Sequence, residues 1–170
     1  MPLAETPGSR AASNTEEEFR YMKRSAQAHW SGDLKSGAGS VTTASATLSN
    51  APYSFHTRFE EGKGTNPEEL LAAAHAGCFT MAVSAQLANA GLKADSLDTT
   101  CTITLDRKDG AFAITESRLE LKAKIPGATQ QAFNQAVEAA KAGCPVSKLF
   151  NTNITLVASL EGVSTSSGAA

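Results

Sequence analysis

The chain has only three cysteines, Cys78, Cys101 and Cys144. An odd, sparse count does not suit a disulfide-stapled secreted fold, so reduced thiols are expected. There is no CxxC or HxxxH motif, and His29, His56 and His75 do not share metal-ligand spacing with the cysteines; no resident metal is expected. Lys and Arg form no cluster and the formal net charge is -2, which argues against nucleic acid as a partner. Residues Met1 to Phe19 include Glu16-Glu17-Glu18 and offer neither a basic start nor an apolar stretch of secretory length. No run approaches the roughly 18 apolar residues of a membrane span. These absences lead to the expectation of a cytoplasmic protein with no membrane partner.

A hydrophobic content of 41% over 170 residues, against 19% charged, is enough for one domain with a real core. Residues 1–20 and 163–170 are rich in Ser, Ala, Glu and Gly without an apolar period and read as mobile tails. The domain is expected over 21–162. Met22 to Trp30, Val41 to Leu48 and Tyr53 to Phe59 have strand composition and read as a three-stranded meander, with a Gly-rich turn at Ser36-Gly37-Ala38-Gly39.

The strongest helix signal is Thr65-Asn66-Pro67-Glu68-Glu69. Asn66 suits the cap, Pro67 the first helical position, and Glu69 the place where a capping box closes. The helix should run to Ala90 and stop at Gly91. Thr99 to Asp106 and Phe112 to Ile125, joined through Asp109-Gly110, have the form of a hairpin with a bulge near Ser117. Phe133, Ala136, Val137 and Ala140 follow helical spacing, Pro145 opens a short third helix, and Ile154, Leu156 and Leu160 mark a closing strand. Strands grouped with helices, rather than alternating with them, predict an α+β fold.

Two cysteines stand out. Cys78 lies well inside the long helix, beyond the reach of the dipole at its start, so its thiolate must be stabilised from elsewhere. Arg58 is the favoured cation, against the plainer reading of a solvating charge at a strand end. Glu68 lies ten residues before Cys78, about 15 Å along the axis, too far to touch the sulfur but able to hold an arginine fork. Cys144, between Gly143 and Pro145, sits at a helix start where backbone donors favour a thiolate. Local electrostatics therefore leaves either cysteine open as the nucleophile. Cys101 shares a strand face with Ile103 and Leu105 and reads as core. His75, one turn from Cys78, suggests either a Cys/His hydrolase pair or a packed neutral histidine. Phe55, Phe59 and Phe79 are candidates to line an apolar pocket near the thiol.

Thr57-Arg58-Phe59, the run from Gly64-Thr65-Asn66-Pro67-Glu68-Glu69 to His75-Ala76-Gly77-Cys78-Phe79, and Ala142-Gly143-Cys144-Pro145-Val146-Ser147 together resemble the OsmC/Ohr family, its OsmC branch in particular. The resemblance covers roughly Met22 to Leu160. It implies an intertwined homodimer with sheets wrapped around two central helices, and active sites at the subunit interface. It also implies a thiol peroxidase of oxidative or osmotic stress defence, acting on organic hydroperoxides and more weakly on hydrogen peroxide. By the same resemblance Cys78 attacks the peroxide, Cys144 resolves the sulfenic acid as a disulfide, Arg58 stabilises the thiolate, and Glu68 holds the arginine. No bound cofactor is implied; the reductant would be an external dithiol, a lipoyl-type group or its carrier protein, with dithiothreitol serving in vitro. A non-catalytic dimer that binds a small apolar ligand is the remaining alternative.

Overall fold

The computed structural model describes residues 22–162; the tails expected at 1–20 and 163–170 lie outside the described residues. Strands β1 (Ala26–Ser31), β2 (Ala38–Thr43) and β3 (Ala51–Ser54) form an antiparallel meander. Helices α1 (Phe55–Phe59) and α2 (Pro67–Asn89) follow. A long hairpin, β4 (Ser96–Lys108) and β5 (Ala111–Lys124), leads to α3 (Gln130–Gly143), α4 (Pro145–Leu149) and β6 (Asn153–Leu160). The second sheet has the order β4-β5-β6, with β6 parallel to β5. Two sheets with segregated helices make this an α+β fold.

The expected strand from Tyr53 to Phe59 is corrected by the structure. Ser54 accepts from the Thr57 amide while the Thr57 hydroxyl accepts from the Ser54 amide. This reciprocal cap ends β3 and starts α1, so Arg58 stands on a helical turn rather than at a strand end. The second strand also stops earlier than Leu48, at Thr43, where a turn closed by Thr43–Leu48 hydrogen bonds takes over.

The start of α2 forms as its sequence dictates. Asn66 Oδ1 accepts from the Glu69 amide at 2.8 Å and Pro67 takes the first turn. The Glu69 carboxylate reaches the Thr65 hydroxyl instead of completing a box, and Asn66 Nδ2 donates to the Thr57 carbonyl, tying α1 to α2. Asn66→Ala is accordingly expected to lower stability by about 1 kcal/mol or somewhat more, read as a fall in thermal midpoint. An unchanged midpoint would count against this double role. Gly91, at a φ of +70°, ends the helix in the left-handed region. Asp109 and Gly110, both at positive φ, supply the two-residue turn of the β4–β5 hairpin. Its bulge falls at Thr115, where Thr104 pairs with Glu116 and Leu105 with Ile114.

The core lies between α2, β4–β5 and α3. Along α2 the residues His75, Phe79, Val83 and Leu87 form one buried stripe. They meet Leu119, Leu121 and Ala123 of β5 and Phe133, Val137 and Ala140 of α3. Phe79 is thus core, not pocket lining.

A second strip of α2 is made of small and apolar residues and is left open: Ala73, Gly77 and Met81 are exposed, Met81 by 76%. Contrary to the sequence expectation, α2 is long and apolar enough to cross a membrane by length and composition alone. Here its one buried stripe packs on the hairpin and α3. The β1–β3 sheet and α1 contribute no buried residue, so this layer has no core of its own within a single chain.

Candidate active site

Packing of α3 and α4 against α2 carries Cys144 across 66 residues of chain to Cys78. Their sulfurs are 3.0 Å apart and both thiols are free. Cys144 ends α3 and caps α4, and is fully buried. Cys78 is half-buried in the middle of α2.

The two thiols are not equivalent. Burial pushes the Cys78 thiol up, and the hydrogen bond and negative charge of Cys144 push the same way; only the Val146 amide opposes them. Burial also works to raise Cys144, but the hydrogen bond with Cys78, the amide and hydroxyl of Ser147, and the Val146 amide together hold it below the usual thiol range. Within one chain the more acidic thiol is therefore Cys144.

Arg58 and Glu68 form a second pair. Nη2 of Arg58 donates to Glu68 Oε1 at 2.7 Å, and its Nε to both carboxylate oxygens at 3.2 Å. This fork fixes the guanidinium plane, which also lies 5.3 Å from the Phe59 ring centroid. Arg58 borders two clefts. One, of about 410 Å³, includes Glu68, Ala72, Cys101 and Ile103; the other, of about 300 Å³, is lined by Trp30, Tyr53, Phe55 and Phe59. Since Glu68 precedes Cys78 by ten residues, about 15 Å of helix separates this pair from the thiol pair. One chain thus assembles Cys78 with Cys144 and Arg58 with Glu68, but as two distinct centres.

His75 does not serve Cys78. It is fully buried, with Nδ1 2.7 Å from the Ser117 hydroxyl and Nε2 2.8 Å from the Ser147 hydroxyl. Both ring nitrogens are occupied, which removes the basis of the Cys/His hydrolase reading. Burial lowers its pKa and favours the neutral ring. Cys101 is more than a packing residue: its sulfur lies 3.4 Å from Ser117 Oγ and 3.9 Å from His75 Nδ1, and burial pushes its thiol up despite the Ser117 hydroxyl.

Sequence reasoning saw Ser117 only as a bulge position and Ser147 only as part of the motif around Cys144, and gave neither a place in the site. Among the described residues no three His, Cys, Asp or Glu side chains are grouped to hold a metal ion.

The family model described as OsmC-like protein matches residues 60–159. Peroxiredoxin OsmC of Escherichia coli strain K12 is 50% identical over 135 residues, covering 79% of this chain and 94% of that protein. The organic hydroperoxide resistance protein of Xanthomonas axonopodis pv. citri is 33% identical over 102 residues, covering 58% of this chain and 68% of that one. Among solved structures, an organic hydroperoxide resistance protein OsmC from Legionella pneumophila superposes with a TM-score of 0.59 at 25% identity, covering 82% of this chain and 96% of the other. Sequence and fold agree: the chain belongs to the OsmC-like protein family.

Proposed function

We propose that this cysteine-based peroxidase reduces organic hydroperoxides, and hydrogen peroxide more weakly, through a Cys78 sulfenic acid that Cys144 resolves as a disulfide. The observation that carries the reading is the 3.0 Å approach of two free thiols from distant parts of the chain. In the first step the Cys78 thiolate attacks the terminal peroxide oxygen; the O–O bond breaks and the alkoxide leaves as alcohol after taking a proton. In the second, Cys144 sulfur attacks Cys78 sulfur, the S–O bond breaks and water leaves. An external dithiol, of lipoyl type or dithiothreitol in vitro, then reduces the disulfide by exchange through its own two thiols. No bound cofactor or metal takes part. The relatives named as peroxiredoxin and organic hydroperoxide resistance protein support a peroxidase-type stress function; in our reading it serves oxidative or osmotic stress defence.

Cys78 must ionise to attack, yet within its own chain burial and Cys144 oppose this. In our reading the guanidinium that stabilises it comes from a second copy, held in place by Glu68 of that copy. The open apolar face of α2, with Met81 exposed, and the coreless β1–β3 layer support an intertwined homodimer with two α2 helices at its centre. An exposed apolar strip on a helix marks a surface for a partner to cover. The small residues Ala73 and Gly77 allow close approach on that open face. Three free thiols suit a reducing compartment, and we place the protein in the cytoplasm.

Mass mapping of cysteine states after one equivalent of an alkyl hydroperoxide tests the sequence of events. The expected product is a Cys78–Cys144 disulfide with Cys101 still reduced. A Cys101 linkage in its place would overturn the assignment.

A further inference from the structure

Arg58 can act only where α1 puts it, and α1 belongs to a layer with no buried residue of its own. Among the described residues, the hydrogen bonds and ion pairs that tie this layer to the rest of the chain all lie at the start of α2. They run from the Thr65 amide to the Pro52 carbonyl, from Asn66 Nδ2 to the Thr57 carbonyl, and from Arg58 to Glu68. Ties gathered at one place leave rotation about them unopposed, so a second, separate attachment is needed to fix where the guanidinium points. The hairpin supplies it. Arg107 of β4 and Phe112 of β5 are cross-strand partners, so their side chains share a face of the sheet. The bulge at Thr115 decides which face: it sets Ile114 opposite Leu105 and so turns Phe112 to the side of Leu105, Ile103 and Cys101. Without the extra residue Phe112 would fall with Arg118 and Glu120 on the outer face. The side it takes is the one on which Cys101, Ile103 and Leu105 line the cleft shared with Arg58 and Glu68.

Aimed this way, the Phe112 ring meets Phe59 of α1 with 5.1 Å between centroids and a tilt of 41°, within the range of an attractive aromatic pair. The Arg107 guanidinium lies over Phe112 at 5.1 Å, and the Arg58 guanidinium over Phe59 at 5.3 Å. Phe55 backs Phe59 at 4.9 Å. The row Arg107, Phe112, Phe59, Arg58 therefore runs from the hairpin tip to the ion pair with Glu68. Phe112 is 54% exposed, so this contact adds little to the core; its consequence is positional. Resting on the proposed role of Arg58 at Cys78, we infer that Phe112 is a positioning residue of the peroxidase. With Arg107 behind it, its ring holds Phe59 and through it α1, so that the arginine fork stands in place for the Cys78 thiol of a second copy. Loss of the ring leaves the ties at α2 intact but lets α1 turn about them, and the guanidinium then spends less time at the thiolate.

Two measurements on the full chain test this: steady-state kinetics with cumene hydroperoxide, and the pH dependence of Cys78 alkylation by iodoacetamide, located by mass mapping. Phe112→Ala should lower kcat/KM about tenfold, the order that one aromatic pair supplies. It should also move ionisation of Cys78 to higher pH, because a cation held less firmly favours the thiolate less. Phe112→Tyr, which keeps the ring, should restore both. In an Arg58→Ala background Phe112→Ala should change neither any further, since it acts through the arginine. Parent values of both quantities in Phe112→Ala would overturn the inference, as would a further tenfold fall in the Arg58→Ala background. A lowered thermal midpoint with the pH profile unmoved would also overturn it, by showing a merely structural ring. Failure of the underlying reading is separately visible: Arg58→Ala would then leave Cys78 ionising at its parent pH, and the inference would fall with it.

Discussion

Cys78→Ser is expected to reduce consumption of cumene hydroperoxide, measured with dithiothreitol as reductant, to the uncatalysed background. A serine hydroxyl at this position is neither ionised near neutral pH nor able to carry oxygen through a sulfenic acid. The other two thiols are poor substitutes. Cys144 is fully buried, and its sulfur faces Cys78 rather than an open cleft. Cys101 borders the cleft that Arg58 also lines, but burial raises its thiol and it has no thiol partner to resolve it. Cys144→Ser should behave differently, forming the sulfenic acid once and then failing to close the disulfide. Turnover in Cys78→Ser comparable to the parent would remove the proposed mechanism at its first step.

Arg58→Ala is expected to lower kcat/KM for the hydroperoxide by about 10²–10³, the usual cost of deleting one group that stabilises developing negative charge. Arg58→Lys should recover little of it. The two-pronged bond to Glu68, at 2.7 and 3.2 Å, requires a planar fork that an ammonium does not have. The origin of the arginine has its own test. Arg58→Ala and Cys78→Ser chains, each nearly inactive, should regain activity when unfolded together and refolded, because a mixed dimer contains one site with both groups intact. Absence of recovery despite proven mixed dimers would mean that Arg58 acts within its own chain. The 15 Å of helix between Glu68 and Cys78 makes that the less favourable geometry.

The parts of the fold that follow local rules were legible in the sequence. Asn66-Pro67 starts α2 and Gly91 ends it as capping chemistry requires. Asp109-Gly110 turns the hairpin, and Leu119, Leu121 and Ala123 alternate into the core on β5. The bulge at Thr115 was placed only two residues away, since the change of parity between Ile114 and Leu119 shows that a residue is added without saying where. Tyr53 to Phe59 misled because its alternation of aromatic and polar residues suits a strand, while the Ser54–Thr57 reciprocal cap, a signal four residues long, won locally.

For the site, composition and motif spacing marked Cys78, Cys144, Arg58 and Glu68 as candidates, and the helix-start amides of Ser147 and Val146 do help to lower the Cys144 thiol, but after the tertiary contact with Cys78. Which groups meet is a different matter. Contacts between residues 42, 66 and 72 apart, from His75 to Ser117, Cys78 to Cys144 and His75 to Ser147, exist because β5, α3 and α4 bury their apolar faces on one stripe of α2. Capping and periodicity act over a turn or two of chain; burial of apolar surface acts over the whole domain and decides the partners. The sequence by itself thus determined the elements and the reactive residue types. Only the tertiary structure joined the two thiols, committed His75 to two serines, and tied Arg58 to Glu68, ten helical residues before Cys78, within one chain.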